Sequence, residues 1–393
     1  MIEIAHRFKS VKEYYFSVKL QEIAAMRAEG KDVLNLGIGS PDLAPDASTI
    51  NSLITSAKQA STHSYQPYRS GDELREAMAN FYQQRYGVFL NSSNEVLPLL
   101  GSKEGIMYIS LAFLNSGDEV LIPNPGYPAY GAITNLVGAT ARSFNLVEAN
   151  GWLPDFDDLA QQDLSKVKLM WVNYPNMPTG TNSSAELFKK LIEFAKKHRI
   201  LIVNDNPYSL VLNDSPQSVL EFDAHKEYVL ELNSLSKSFN MAGWRVGMVV
   251  GHRQYINAIV QAKSNVDSGM FLPVQKAATQ ALSLPQEWHD ERNEVYASRR
   301  GIALDLLTHL DCEVSKNQVG MFLWAKLPAH ITSTRAFIDE ILQKAHIFLT
   351  PGEVFGSNGD RFIRLSLCST QQDFEMAIQR ILKWKAKELS LVS

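Results

Sequence analysis

The chain has 393 residues, with 38 Lys and Arg against 42 Asp and Glu, a formal net charge of −4, 45% hydrophobic residues and 20% charged ones. That composition belongs to a globular protein with a substantial core. The length exceeds the roughly 250–300 residues at which one core stops growing, so two domains are expected. A weakly acidic balance excludes binding of a nucleic-acid backbone as the main task, because that needs a basic face, and leaves small anionic ligands open to a few local cations.

The start of the chain, Met1 to Ser10, carries Glu3, Arg7 and Lys9 and lacks the apolar run of a signal peptide. Phe16, Leu20 and Ile23 follow at helical spacing, and Gly30 stops that helix. Val33 to Leu36 reads as a short strand that breaks into the turn-rich loop Gly37-Ile-Gly39-Ser-Pro-Asp42. Helical patterns come next at Asp72–Tyr86 and Ser102–Asn115. The longest uncharged stretch, Val120 to Ala141, is broken by Pro123, Pro125 and Pro128, which no spanning helix would tolerate. Apolar runs at Glu119–Pro123, Lys168–Val172, Ile200–Val203, Tyr228–Leu232 and Val246–Val250 alternate with helical patterns, and Ser183-x-x-Glu186 reads as a capping box opening one of them. Buried runs alternating with helices predict a largely parallel α/β sheet covered on both faces. After residue 284 the texture changes. A long helical pattern from Pro285 to Leu310 precedes strand-like Met321–Ala325 and Phe362–Leu367, with helical Thr334–Ala345 between them. The expected division is an N-terminal arm over 1–45 that returns to a smaller domain, a large domain over 46–284, and a small α+β domain over 285–393.

Two cysteines, Cys312 and Cys368, cannot build a disulfide framework over this length, and neither lies in a C-x-x-C. Both read as reduced packing residues, which fits a cytoplasmic protein. The nine histidines are scattered, so no metal site is expected.

In open α/β sheets ligands sit at the carboxyl ends of strands. Those ends here carry Asn173-Tyr-Pro-Asn176-Met-Pro-Thr-Gly180, then Asp205-Asn-Pro-Tyr208, then Ser234-Leu-Ser236-Lys237 with Arg245 shortly after. Singly, a Ser-rich turn before a helix is a cap and an Asp after a strand is a turn former. Together, in this order, they resemble the class I/II aminotransferases that depend on pyridoxal 5'-phosphate. The likeness runs from Leu36–Asp42 to Arg361–Ser366 and is closest to the LL-diaminopimelate and aspartate aminotransferase branches. It implies the fold type I architecture, a mostly parallel cofactor domain with a smaller α+β domain, working as a homodimer with shared active sites.

The resemblance also implies roles. Lys237 would form the Schiff base with the cofactor aldehyde and then carry the proton at the substrate Cα, and burial beside other cations lowers a lysine pKa as that requires. Asp205 would pair with the ring nitrogen, and Tyr208 and Asn176 with the ring oxygen. Arg245, Ser234, Ser236 and the helix start Gly101-Ser102-Lys103 would hold the phosphate, and Tyr127 would stack on the ring. A partner-subunit tyrosine reaches the phosphate in this family. Tyr65 is the best match, with Tyr68 the alternative, and Ser70 stands where a glycine is expected. Arg364 would fork the substrate α-carboxylate, and Gly39 would let the backbone approach the substrate. Arg361 falls off that face and reads as solvated. Lys103 either meets a distal substrate carboxylate or serves the phosphate loop through its backbone.

Two departures stand out: Pro207 within the Asp205–Tyr208 motif, and Met177 where asparagine is frequent. The implied reaction moves an amino group from a dicarboxylic, aspartate-like or diaminopimelate-like donor to a 2-oxo acid such as 2-oxoglutarate by a ping-pong path, in amino acid biosynthesis. The alternative is a lyase on the same fold, a C–S β-lyase or a cyclopropane-forming synthase, because the cofactor contacts alone do not separate these reactions. No nucleic acid or membrane partner is expected.

Overall fold

The computed structural model describes residues 1–10, 13 and 15–392; residues 11, 12, 14 and 393 of the expected terminal spans lie outside them. Along the chain come α1 (Tyr15–Ala28), β1 (Leu34–Asn35), α2 (Ala47–Ala57), α3 (Asp72–Tyr86), β2 (Val96–Leu99), α4 (Ser102–Phe113), β3 (Glu119–Asn124), α5 (Ala129–Leu136) and β4 (Thr140–Asn145). Then follow α6 (Phe156–Ala160), β5 (Val167–Val172), α7 (Ala185–His198), β6 (Leu201–Asp205), β7 (Val229–Ser234), α8 (Leu235–Ser238), β8 (Gly247–Gly251), α9 (Arg253–Ser264), α10 (Leu272–Leu282) and α11 (Gln286–His309). The remainder is β9 (Glu313–Val314), β10 (Phe322–Lys326), α12 (Thr334–Ala345), β11 (Ile347–Phe348), β12 (Thr350–Pro351), β13 (Phe362–Ser366) and α13 (Gln371–Val392).

Seven strands form one sheet in the order β2-β8-β7-β6-β5-β3-β4. The run from β4 to β7 is parallel, and β8 is antiparallel to both its neighbours. Because β5, β6 and β7 are covered on both faces, nearly every residue in them is apolar or buried. The alternation still separates two faces. Met170, Val172 and Ile202 pack with Leu187, Phe188 and Leu191 of α7. Leu169, Trp171 and Val203 pack with Ile106 and Ile109 of α4. The helix α7 shows why such covering elements form: Ser184 caps it by accepting from the Leu187 N–H, Glu186 sits in the first turn, and Lys196, Lys197 and His198 sit in the last, each matching the helix dipole. The cap is therefore Ser184, not the Ser183 expected from the capping-box spacing; Ser183 is already part of the incoming loop.

A second, antiparallel sheet has the order β12-β13-β10-β9, and β1 pairs in parallel with β11. Its core joins Leu34 and Leu36 near the start of the chain to Tyr296, Ala303 and Leu306 of α11 and to Phe322, Ile363 and Leu365. The early loop 37–42 leaves β1 of the β1-β11 pair and crosses to the carboxyl edge of the large sheet, where the Gly39 carbonyl accepts from Lys237. Among the described residues no helix is long and apolar enough to cross a membrane, and no group of His, Cys, Asp and Glu could hold a metal ion.

Candidate active site

The strands β5, β6 and β7 are neighbours, with Val172 beside Asn204 and Asp205 beside Leu232. Their carboxyl ends therefore open on one cleft, and Asn173, Asp205 and Ser234 stand along it. The chain turns straight from Ser234 into α8, because the Ser234 hydroxyl accepts from the Ser236 N–H as an N-cap, and this turn swings Lys237 over the sheet edge. The result is a cavity of about 810 Å³ between the two sheets. Of the residues expected from the sequence, Lys237, Asp205, Tyr208, Ser234, Ser236, Arg245, Ser102, Lys103, Tyr127, Arg364 and Gly39 line it.

Lys237 donates to the Gly39 carbonyl at 2.5 Å. Burial lowers its pKa; Cys368 opposes that shift, and Arg364 and Arg245 add smaller effects in the same direction as burial. The neutral amine is thus favoured relative to water. Asp205 is pushed up to about 7 by burial; a hydrogen bond from Tyr130 opposes that shift, and the Glu231 carboxyl adds to it. Tyr130 donates to Asp205 Oδ2 at 2.9 Å, while Oδ1 is buried and accepts no hydrogen bond. Tyr130 is itself locked by a stacked Trp171, ring centroids 5.0 Å apart, and burial raises its pKa well above the ordinary value, so it stays a donor.

At the opposite end of the cleft, Arg245 meets the N-terminus of α4. Gly101 has φ +87°, and a Cβ there would lie 2.2 Å from an Arg245 guanidinium nitrogen. Only glycine permits that approach, which brings the guanidinium, the N–H groups of the helix start and the Ser102, Ser234 and Ser236 hydroxyls to one place. Lys103 has its pKa lowered by burial and by Arg245. Such a set of positive charge and donors suits a dianion.

Arg364 lies on β13 opposite Trp324 and Thr350 and is buried. Its guanidinium sits 4.1 Å from the Phe322 ring centre and 4.7 Å from that of Phe355. One nitrogen donates to the Gly37 carbonyl at 2.8 Å and another to Met177 Sδ at 3.2 Å. The aromatic faces hold the charge without neutralising it. Gly39 crosses directly over Phe322: a Cβ there would lie 2.1 Å from the ring.

Four expected residues do not line the cavity. Asn176 is buried, but its carboxamide oxygen accepts from the Thr179 N–H and hydroxyl, turning the side chain into its own loop; Met177 and Asn173 face the cavity instead. Gly101 shapes the anion end from behind Arg245 rather than touching the space. Tyr65 is 91% exposed and Tyr68 49%, both away from this subunit's cavity. Arg361, expected in solvent, donates to the Leu327 and Pro328 carbonyls. Ser70 has φ 60°, the backbone that a glycine would ordinarily supply.

Other lining residues had no functional reading from the sequence. Tyr130 follows Tyr127 by one turn of chain, and only the strand order brings it to Asp205. Asn173 was visible as a polar strand end; it donates to the Asp205 carbonyl and accepts from the Met177 N–H. Phe16, Ser17, Leu20, Gln21 and Ala24 of α1 form one wall, and their helical spacing had pointed only to packing.

These features fit pyridoxal phosphate. The orphaned Asp205 oxygen suits a protonated ring nitrogen, the depressed Lys237 amine suits an aldehyde, and the Arg245 corner suits a phosphate. A family model described as aminotransferase class I and II matches residues 31–381. The LL-diaminopimelate aminotransferase of Dehalococcoides mccartyi (strain ATCC BAA-2266) is 38% identical over 388 residues, covering 98% of this chain and all of that protein. The LL-diaminopimelate aminotransferase of Halothermothrix orenii is 38% identical over 382 residues, covering 97% and 98%. The apo structure of BacF from Bacillus subtilis superposes with a TM-score of 0.93 at 36% identity, covering 98% of each chain.

Proposed function

The chain belongs to the class I and II aminotransferases, and from that premise we propose how its residues divide the transfer of an amino group between an amino acid and a 2-oxo acid. It is a pyridoxal-phosphate-dependent enzyme of the fold type I architecture. When bound, the cofactor supplies an aldehyde that takes up the amino group and a ring that accepts the electrons left at the substrate Cα. The Lys237 amine is the attachment point and, once displaced, the base that moves the proton at Cα; burial lowers its pKa, which favours the unprotonated amine that both tasks need. Asp205 holds the ring nitrogen protonated, with Tyr130 orienting the carboxylate. Tyr208 borders the ring oxygen, Tyr127 covers the ring face, and Arg245 with Ser102, Ser234, Ser236 and the Gly101 turn holds the phosphate. Arg364 forks the substrate α-carboxylate, and its aromatic walls exclude water from that contact.

The observation that carries this reading is the convergence of Lys237, Asp205, Arg245 and Arg364 on one cavity. The donor is read as dicarboxylic or diaminopimelate-like, with 2-oxoglutarate as acceptor. Support comes from the LL-diaminopimelate aminotransferases at 38% identity and from Lys103, a cation on the cavity wall. A second reading rests on the α1 wall: Phe16, Leu20 and Ala24 favour a longer, mainly apolar side chain. The exposed Tyr65 supports a homodimer in which it reaches the partner's phosphate, and two unpaired cysteines suit the cytoplasm.

An absorbance titration of the holoenzyme against a panel of amino acids, without oxo acid, tests both readings. The visible cofactor band should give way to a near-ultraviolet band, with LL-diaminopimelate, aspartate or glutamate ranking first. A higher rank for phenylalanine or methionine supports the α1 reading, and pyruvate or ammonia without band conversion overturns transamination.

A further inference from the structure

Helix α11 carries two buried arginines, Arg292 and Arg299, each 4% exposed, with Tyr296 between them on the same face. Neither lines the cavity. Each spans chain segments that carry site residues. Arg292 donates to the Ser238 carbonyl, next to Lys237, and to the Leu210 carbonyl in the turn after Tyr208. Its remaining hydrogen bonds go to His289 Nδ1 and Asn293 Oδ1, each at 3.1 Å, and burial lowers its pKa to about 10. Arg299 forks Asp42 through two nitrogens, both at 2.7 Å, and donates to the Leu367 carbonyl at 3.1 Å. Leu367 directly follows the strand that bears Arg364. Asp42 closes the loop in which the Gly37 carbonyl accepts from Arg364 and the Gly39 carbonyl accepts from Lys237.

We propose that α11 is a positioning strut with two separable ends: Arg299 spaces the Gly37–Asp42 loop from the Arg364 strand on the substrate-carboxylate side, and Arg292 holds the Lys237 and Tyr208 turns on the amine side. A buried cation satisfied by carbonyls is costly to maintain, and a planar fork that bridges two segments fixes their spacing in a way that a point charge does not. Loop 37–42 contributes backbone carbonyls to both Lys237 and Arg364, so its height above Phe322 sets where the carboxylate of a substrate comes to rest.

This inference rests on the roles read above for Lys237 and Arg364, and the test separates the two. Arg299→Lys, Arg292→Lys and the milder Asp42→Asn are compared as holoenzymes with LL-diaminopimelate, or the panel member ranking above it, and 2-oxoglutarate. Arg299→Lys and Asp42→Asn should raise KM for both substrates about tenfold or more, the loss of one charge-assisted contact, with little change in kcat or in cofactor retention on dialysis. Arg292→Lys should do the reverse, lowering kcat and speeding cofactor loss with KM much less affected. Equal movement of both sets of parameters in all three variants overturns the division, as does a lowered melting temperature with neither set moved. Wild-type behaviour of Lys237→Ala or Arg364→Ala would instead overturn the site reading on which the strut depends.

Discussion

The two ends of the cavity are built differently. The cofactor end comes from adjacent strand ends of one sheet: Asn173, Asp205 and the Ser234–Lys237 turn are held at fixed spacing by the β5, β6 and β7 register. The substrate end is assembled from pieces remote in sequence: α1, the loop 37–42, Phe322 on β10, Phe355 and Arg364 on β13. The first end inherits its geometry from backbone hydrogen bonds of a buried sheet. The second depends on side-chain contacts between elements of two sheets. The chemistry common to the family thus sits where the fold is stiffest, while the walls that meet the substrate sit where small changes can move them.

The largest effect should come from the cofactor end. Lys237→Ala removes the amine that both attaches the cofactor and moves the proton, so turnover should fall below detection and the visible band should be lost. Retention of either would break the assignment of that end. Asp205→Asn is subtler, because it separates function from stability. The fold raises the Asp205 pKa to about 7, far above an ordinary carboxyl, so the native state prefers the proton. The cofactor-free wild type therefore loses stability as pH rises from about 4 to about 7, and the loss is complete above that. Asparagine does not titrate. The variant should be inactive yet gain on the wild type by about 2–3 kcal/mol between pH 5 and pH 8, at about 1.4 kcal/mol per pKa unit. Denaturant titrations of the cofactor-free proteins at the two pH values measure this, and a pH-independent difference would refute the burial argument.

At the substrate end Arg364→Ala should leave the cofactor spectrum unchanged and weaken every amino and oxo acid by about 2–5 kcal/mol, the scale for truncating one partner of a buried charge pair. Steady-state KM values across the donor panel provide the measurement. A variant that loses cofactor instead would erase the distinction between the two ends.

The same difference explains what could be read from the sequence. Lys237, Asp205, Arg245 and Arg364 were legible only through the resemblance of their motifs, taken together and in order, to those of the family, and the structure brings the four to one cavity. The mostly parallel sheet was legible from its buried runs. Asn176 lies just behind the cavity wall: its carboxamide oxygen accepts from Thr179 while its nitrogen is buried with no partner, and Met177 takes the lining position. Tyr130 and the α1 wall were illegible in principle, since an apolar or aromatic residue at helical spacing signals burial and not against what. Arg292 and Arg299 lie in a helix rich in charge, where nothing local distinguishes a buried cation from a solvated one.

Ser70 gives the smallest effect and tests the edge of the comparison. It is buried and has φ 60°, with its N–H donating to the Pro67 carbonyl at 2.7 Å. An L side chain in that region costs roughly 1–2 kcal/mol, and a glycine would relieve it at some entropic cost to the folded state. Ser70→Gly should therefore stabilise the protein by about 0.5–1 kcal/mol, read as a small rise in denaturant midpoint. The turn lies beside Tyr65 and Tyr68, the residues with a proposed role across a subunit interface. If the serine is there only as tolerated strain, activity and cofactor retention will not change with the gain in stability. If glycine instead loosens the loop enough to speed cofactor loss, the cofactor end is not wholly a property of the buried sheet, and part of its stiffness comes from this strained turn.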